Sequence, residues 1–292
     1  MNYGLKLKRA KRHHWVMGSG KATRKLGADA GEINPEGDWT KYTNSKEPQR
    51  RNGLETMACT NFAFNKAITA LAKLKKYSLF PKNPSDRYTA IGTGTTPQGN
   101  DPWQVISKIA TELGAIPEDD LPFSDDINTW DEYYSPPKSS ADYRALVRKG
   151  ELVLRGLEIE PEWVIKPFTH YLPEEKHQRL KQAIKRGPIA VSVYAWDEEG
   201  GEYVKTGDDN HLVFLLRYDG HNPVISDQYP PFEKTLAPYY DFGSAIIVFM
   251  RENRTGILPK DRPLAIRIIK QLITLLQELS KNIGSWLGFT RS

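Results

Sequence analysis

The sequence predicts an α+β fold, with helices in the first half of the body and short strands in the second. Three observations carry that reading. The stretch "LETMACTNFAFNKAITALAKLKKY" places Phe62, Ala63, Ala67, Ala70, Leu71 and Leu74 at helical spacing. Beyond residue 186, "GPIAVSVYAW", "HLVFLLRYD", "NPVISDQY" and "SAIIVFMR" are short apolar or alternating runs separated by turns. Last, "RPLAIRIIKQLITLLQELSKNIGSWLGF" reads as an amphipathic helix appended after the final strand.

The chain begins with a basic segment, residues 1–28. Eight Lys and Arg residues precede the first acidic one, Asp29, so the remainder carries −3 against a whole-chain charge of +5. Such an arm can hold phosphate or nucleic acid through counterion release. A solvated terminal segment is the plainer account, because no helix or stacking motif organises those charges. "MNYGLKLKRAKRHHW" has no apolar core of a signal peptide, and no apolar run is long enough to span a bilayer, so a cytoplasmic protein is expected. With 292 residues, 39% hydrophobic and 26% charged, the chain has room for one large domain or two modest ones. Residues 29–255 are assigned to the body and 260–292 to the terminal helix.

Polar, turn-rich sequence runs from about Gly27 to Gly53, and the first helix starts near Cys59. The loop "GTGTTPQGNDP" is rich in glycine but lacks the Gly-Lys-Ser/Thr ending of a phosphate loop. A second helix runs from Pro102, in first-turn position, to a stop at Gly114. Residues 117–141 read as an acidic loop, and Pro173 to about Arg186 as a third helix. "DEEGGEYVKTGDD" lacks the Asp-x-Asp-x-Asp-Gly spacing of a calcium loop and reads as a solvated hairpin. His13 and His14 are adjacent and cannot share one strand face, while His170 and His177 read as surface residues. No metal site is assigned.

In the terminal helix, Ile268, Ile269, Leu272, Leu275, Leu276, Leu279 and Ile283 fall on one face, with Arg267, Lys270, Gln271, Glu278 and Lys281 on the other. Docking on the body or on a partner helix is the ordinary expectation. Self-association or contact with a membrane surface is the sharper one, encouraged by Trp286 and Phe289 beside basic residues.

Cys59 is the only cysteine, so neither a disulfide within the chain nor a structural zinc array is available. A lone cysteine is ordinarily an inert buried residue. At a helix N-terminus, however, the helix dipole favours thiolate, and His211 at the start of "HLVFLLRYD" is a candidate imidazole partner. Cysteine early on a helix with histidine later on a strand is a known arrangement for a nucleophilic thiol.

"TMACTNFAFNKAI" resembles the active-site helix of the papain-like cysteine peptidases, "NHLVFLLRYD" their histidine strand, and "VISDQY" the strand with their orienting asparagine. "IKRGPIAVSVYAW" stands where the strand before the histidine would be. "GTGTTPQGNDPWQVISKIATELGAIPEDDLPF" is similar to divergent members from bacteriophages and metagenomic sequences. The likeness covers about residues 27–252. It implies a two-lobed papain-like fold, a helical lobe against a twisted antiparallel sheet, with the cleft between them. Its implied reaction is peptide hydrolysis through an acyl-thioester, with a protein or peptide substrate and no cofactor. Cys59 would be the nucleophile, His211 the base, Asp227 the orienter and Gln49 the side-chain donor to the oxyanion. Gln49 lies ten residues before Cys59 where six is usual, which leaves Asn52 as a competing donor. Asp227 replaces an asparagine, Thr60 stands where a tryptophan is typical, and Tyr229 takes the place of another tryptophan. If the protein is viral, host cytoplasm or virion is the expected location. A catalytically silent papain-like structural or binding protein is the alternative, and a nucleic-acid-associated protein using the basic arm is the third.

Overall fold

The computed structural model describes residues 3–11, 14, 31–43, 46–137 and 139–286. Its helical half starts with a minimal hairpin, β1 (Arg50–Arg51) and β2 (Leu54–Glu55), that leads into α1 (Cys59–Lys75). Every residue of α1 from Cys59 to Ala72 is buried, and Lys76 closes the helix in the left-handed conformation. α2 (Asp86–Thr93) and α3 (Pro102–Lys108) follow, each opened by a side-chain cap, Ser85 and Asp101. A π-turn over Ile109–Leu113 prolongs α3 to the expected stop at Gly114.

Within the stretch expected to be loop, Thr129 and Glu132 form a reciprocal capping box that nucleates α4 (Trp130–Tyr134). Among the longer elements, α2, α5 (Ser140–Gly156) and β3 (Leu157–Ile165) carry no clear signal in the sequence. α5 crosses the end of α3 very closely. A Cβ at Gly150 would meet the Leu113 carbonyl at 2.0 Å, and one at Gly114 would meet the Gly150 carbonyl at 2.0 Å. Backbone packs on backbone there, which only glycine permits.

α6 (Pro173–Ala183) precedes the strands β4 (Ile189–Val193), β5 (Asp197–Glu199), β6 (Glu202–Val204), β7 (His211–Asp219), β8 (Asn222–Ser226), β9 (Glu233–Thr235) and β10 (Ala245–Glu252). Six of these strands form one antiparallel sheet in the order β3-β10-β4-β7-β8-β9. β5 and β6 form the expected hairpin, well exposed on β5. α1 lies across β7, β4 and β10. β4 and the first six residues of β7 are buried without interruption, and burial on both faces explains why they are mostly apolar rather than alternating.

Two expectations are corrected. His177 is not at the surface: it is buried, its Nε2 2.9 Å from the Tyr240 carbonyl and its Nδ1 3.1 Å from the Tyr218 hydroxyl. Burial holds its pKa below the ordinary imidazole range, so it packs as a neutral ring. The terminal helix, α7 (Arg262–Trp286), does not dock on the body along its length. It is rooted by Arg262, which bonds Glu158 and the Asn253 side chain. Leu264, Ile268, Leu272, Leu276 and Leu279 are each 46% to 64% exposed. No helix of the described residues is long and apolar enough to cross a membrane. Of the basic segment, Arg12, Lys21, Arg24 and Lys25 lie outside the described residues, as do His13 and Phe289.

Candidate active site

Cys59 is the first residue of α1, and Ala58 before it offers no side-chain cap. The positive end of the helix is therefore left to act on the thiol side chain. The backbone N–H groups of Leu212 and Thr60 lie close enough to favour a charge on the thiol, which places it beside the first residues of β7. His211 opens that strand, paired with Val193 of β4. Its Nε2 stands 2.7 Å from Asp227 Oδ1, with neither side chain exposed to solvent. Donation from Nε2 to the carboxylate fixes the neutral tautomer and leaves Nδ1 as the bare nitrogen. That Nδ1 is buried and has no hydrogen-bond partner among the described residues.

Aromatic rings enclose the imidazole. Tyr3, Tyr229 and Trp196 lie with centroids 5.5, 5.4 and 5.9 Å away. Tyr229 is locked by its hydroxyl, which donates to Glu55 Oε2 at 2.6 Å.

Asp227 follows β8 directly. Oδ1 also accepts the Gln228 N–H at 2.7 Å, and Oδ2 accepts from Lys234 Nζ at 2.6 Å. Burial pushes this carboxyl upward, but His211 and Lys234 together outweigh it and hold the pKa below the usual carboxylate range. Lys234 was not singled out in the sequence, and neither was Lys66 of α1. The latter is also buried and donates to Ser226 Oγ at 2.9 Å and to the Asp227 carbonyl at 3.3 Å.

Of the two oxyanion candidates, the structure brings only Gln49 to this place. It is fully buried, and its Nε2 donates to Glu55 Oε1 at 2.6 Å and to the Tyr3 carbonyl at 3.1 Å. Asn52 sits exposed in the β1–β2 turn with φ 49°, donating to the Asp125 carbonyl. The turn between β1 and β2 absorbs the longer spacing to Cys59.

The feature least visible in the sequence is what covers the site. Tyr3 N–H donates to the Asn210 carbonyl at 3.1 Å, one residue before His211. Asn100 N–H donates to the Gly4 carbonyl at 2.9 Å, and Lys6 N–H to the Asn100 carbonyl at 3.0 Å, so Leu5 and Asn100 pair as a parallel bridge. Lys8 N–H reaches Asp101 Oδ2 at 3.1 Å, and the His14 ring stacks on Trp103. "GTGTTPQGN" thus does flank the cleft, and part of the basic segment fills it. The thiol is consequently cut off from water. Burial, with Glu55 and Asp227 adding negative charge, pushes Cys59 well above the ordinary thiol range. Desolvation thus works against the expected thiolate and outweighs the helix dipole and the nearby N–H donors.

A helical half opposed by an antiparallel sheet, with Cys59 opening α1 and His211 opening β7, is the papain-like fold. Solved structures agree. Xylellain, a cysteine protease from Xylella fastidiosa, superposes with a TM-score of 0.55 at 17% identity, over 85% of this chain and 95% of that one. The digestive procathepsin L2 proteinase of Tenebrio molitor larval midgut gives 0.53 at 11%, over 85% and 78%. The ragweed pollen allergen Amb a 11, a cysteine protease in its proform, gives 0.51 at 15%, over 77% and 69%. No protein-family model matches the chain, nor does any curated protein. The likeness to bacteriophage members rests on the sequence motifs alone. Among the described residues no cluster of three or more His, Cys, Asp or Glu is placed to hold a metal ion.

Proposed function

We propose that the protein is a cysteine peptidase whose own N-terminal residues hold it latent. The observation that carries this reading is His211: one ring nitrogen is engaged by Asp227, the other is buried with no hydrogen-bond partner among the described residues, and the next residue of the strand, Leu212, lies beside the Cys59 thiol. With the cleft open, Nδ1 takes the thiol proton and the thiolate attacks the substrate carbonyl carbon. The C–N bond then breaks, the proton passes from His211 to the leaving amine, and water hydrolyses the acyl-thioester. The Cys59 backbone N–H and Gln49 Nε2 would receive the oxyanion. Gln49 already donates to a peptide carbonyl, that of Tyr3, which stands in for a substrate. Two of the structural relatives are described as proforms, which agrees with a covered cleft.

The test is to open the cleft in the full chain. Gly4 has φ +102°, and a Cβ there would meet the Met57 carbonyl at 2.0 Å. Gly4→Val should therefore expel the segment. We expect Cys59 to become labelled by an epoxide inhibitor of papain-like enzymes, the adduct located by mass spectrometry, and a fluorogenic peptide to be turned over. An opened but inert Cys59 favours the silent, structural reading instead.

We assign α7 to an anionic lipid surface. Its apolar arc is broader than the narrow seam of a two-stranded coil, since Ile266 and Ile273 flank the main stripe and are also exposed. Its polar arc carries Arg267, Lys270 and Lys281 against Glu278 alone. Sedimentation with phosphatidylserine vesicles checks it, and a concentration-dependent oligomer without vesicle binding would point to self-association.

A further inference from the structure

We infer that Lys234 is a positioning residue for His211 that acts through Asp227, so that a buried ammonium and carboxylate together take the place of a neutral orienting amide. The inference rests on the reading of His211 as the base. A carboxylate next to the imidazole binds the imidazolium proton more firmly than an amide does. An uncompensated one would oppose the return of that proton to a leaving amine. Lys234 removes the excess charge. It is 2% exposed, and its three protons are spent on Asp227 Oδ2 at 2.6 Å, the Tyr229 carbonyl at 2.7 Å and the Pro231 carbonyl at 2.7 Å. The Trp196 and Tyr203 rings lie 5.1 and 5.6 Å from the ammonium and close its other side. The two carboxylate oxygens are thus divided, one facing the imidazole and the other the ammonium.

The other charged and titratable groups around this pair are accounted for. α1 contributes Cys59 and Lys66, and Lys66 touches the Asp227 carbonyl rather than its carboxylate. The N-terminal segment contributes Tyr3, the loop after β8 contributes Tyr229, and β2 contributes Glu55, which is occupied by Gln49, Tyr229 and the Met57 N–H. Lys234 is the only one of them to place a cationic nitrogen on the Asp227 carboxylate among the described residues.

The test is a titration of the His211 ring by NMR in the full-length chain, which needs no turnover. In Lys234→Met the imidazolium should persist to higher pH, by about one unit or more. In the double variant Asp227→Asn/Lys234→Met the midpoint should return to within a few tenths of the parent, and in Lys234→Arg it should barely move. An unmoved midpoint in folded Lys234→Met overturns the inference. If that single variant does not fold, the double variant must, since an amide beside methionine leaves no buried charge unpaired; failure of both to fold also overturns it. An inert Cys59 after cleft opening would defeat the peptidase reading while leaving this titration informative.

Discussion

The two basic, partly apolar segments that flank the body meet opposite fates. Residues 3–8 are threaded through the cleft by backbone hydrogen bonds to Asn210 and Asn100, with Leu5 6% exposed. α7 leaves the body after Arg262, with its leucines and isoleucines open to solvent. α7 carries far more apolar surface, yet it is the poorer segment that is covered. What decides is the receptor: the Asn210 carbonyl and the Asn100 backbone bond the N–H and C=O groups of an extended segment, which a helix, with its own groups already bonded, cannot offer.

The largest expected effect breaks the better-held segment. Displacing it costs about four hydrogen bonds at ~1 kcal/mol each, so Gly4→Val should raise the rate of Cys59 alkylation about 100-fold or more. Iodoacetamide labelling of the full chain measures it, and an unchanged rate means that the cleft is not held shut by this segment.

Gln49→Ala comes next and separates two duties. The loss of its bond to Tyr3 should loosen the cover and modestly increase labelling, whereas turnover in the Gly4→Val background should fall about 100-fold through the missing oxyanion donor. If Asn52→Ala has that effect instead, the oxyanion assignment is wrong.

The other segment is tested by Leu272→Glu/Leu276→Glu. Vesicle binding should fall at least ~10-fold, since two buried leucines contribute about 3 kcal/mol between them, and Cys59 labelling should not change. Labelling that rises in step would mean the two segments communicate, against the contrast drawn above.

The smallest effect fixes the pH at which the segments should be compared. Burial, with the negative charge of Glu47 and Asp119, pushes Glu118 up to about 7, and Asp86 is raised in the same direction. A carboxyl whose folded pKa lies above its unfolded value contributes stability below the unfolded pKa, near 4.5, and loses it as pH rises through 7. The melting temperature should fall between pH 5 and 8, and Glu118→Gln should flatten that fall by removing about 1 kcal/mol of the pH-dependent loss of stability. An unaltered slope removes Glu118 as its cause.

The elements legible in the sequence were those whose burial pattern is written in one continuous run: α1, α3, α6, the strands β4, β7, β8 and β10, and α7. β3 was hidden because Pro161 interrupts "LEIEPEWVI", although a proline is tolerated in a strand at the sheet edge, where β3 lies. α5 was hidden by Gly150, which is needed for its close crossing rather than for the helix. In the site, His211 and Asp227 stand within hydrogen-bond distance and Cys59 lies beside Leu212. Lys234 left a fainter signal: a carboxylate where an amide is usual asks for a counter-charge, and the next strand supplies one. The seat of Tyr3 and Leu5 had no signal, because a run of backbone hydrogen bonds leaves no mark on side-chain composition.

β3 also bears on how the molecule meets its neighbours. An edge strand invites another chain to add itself to the sheet, the route to runaway polymers. Here one edge carries Glu158, Glu160 and Pro161, and the other is the three-residue β9, whose central residue is turned inward. Neither is a good template for strand addition. A crowd of these molecules should therefore stay soluble as far as their sheets are concerned, and any clumping that occurs should disappear when α7 is made polar.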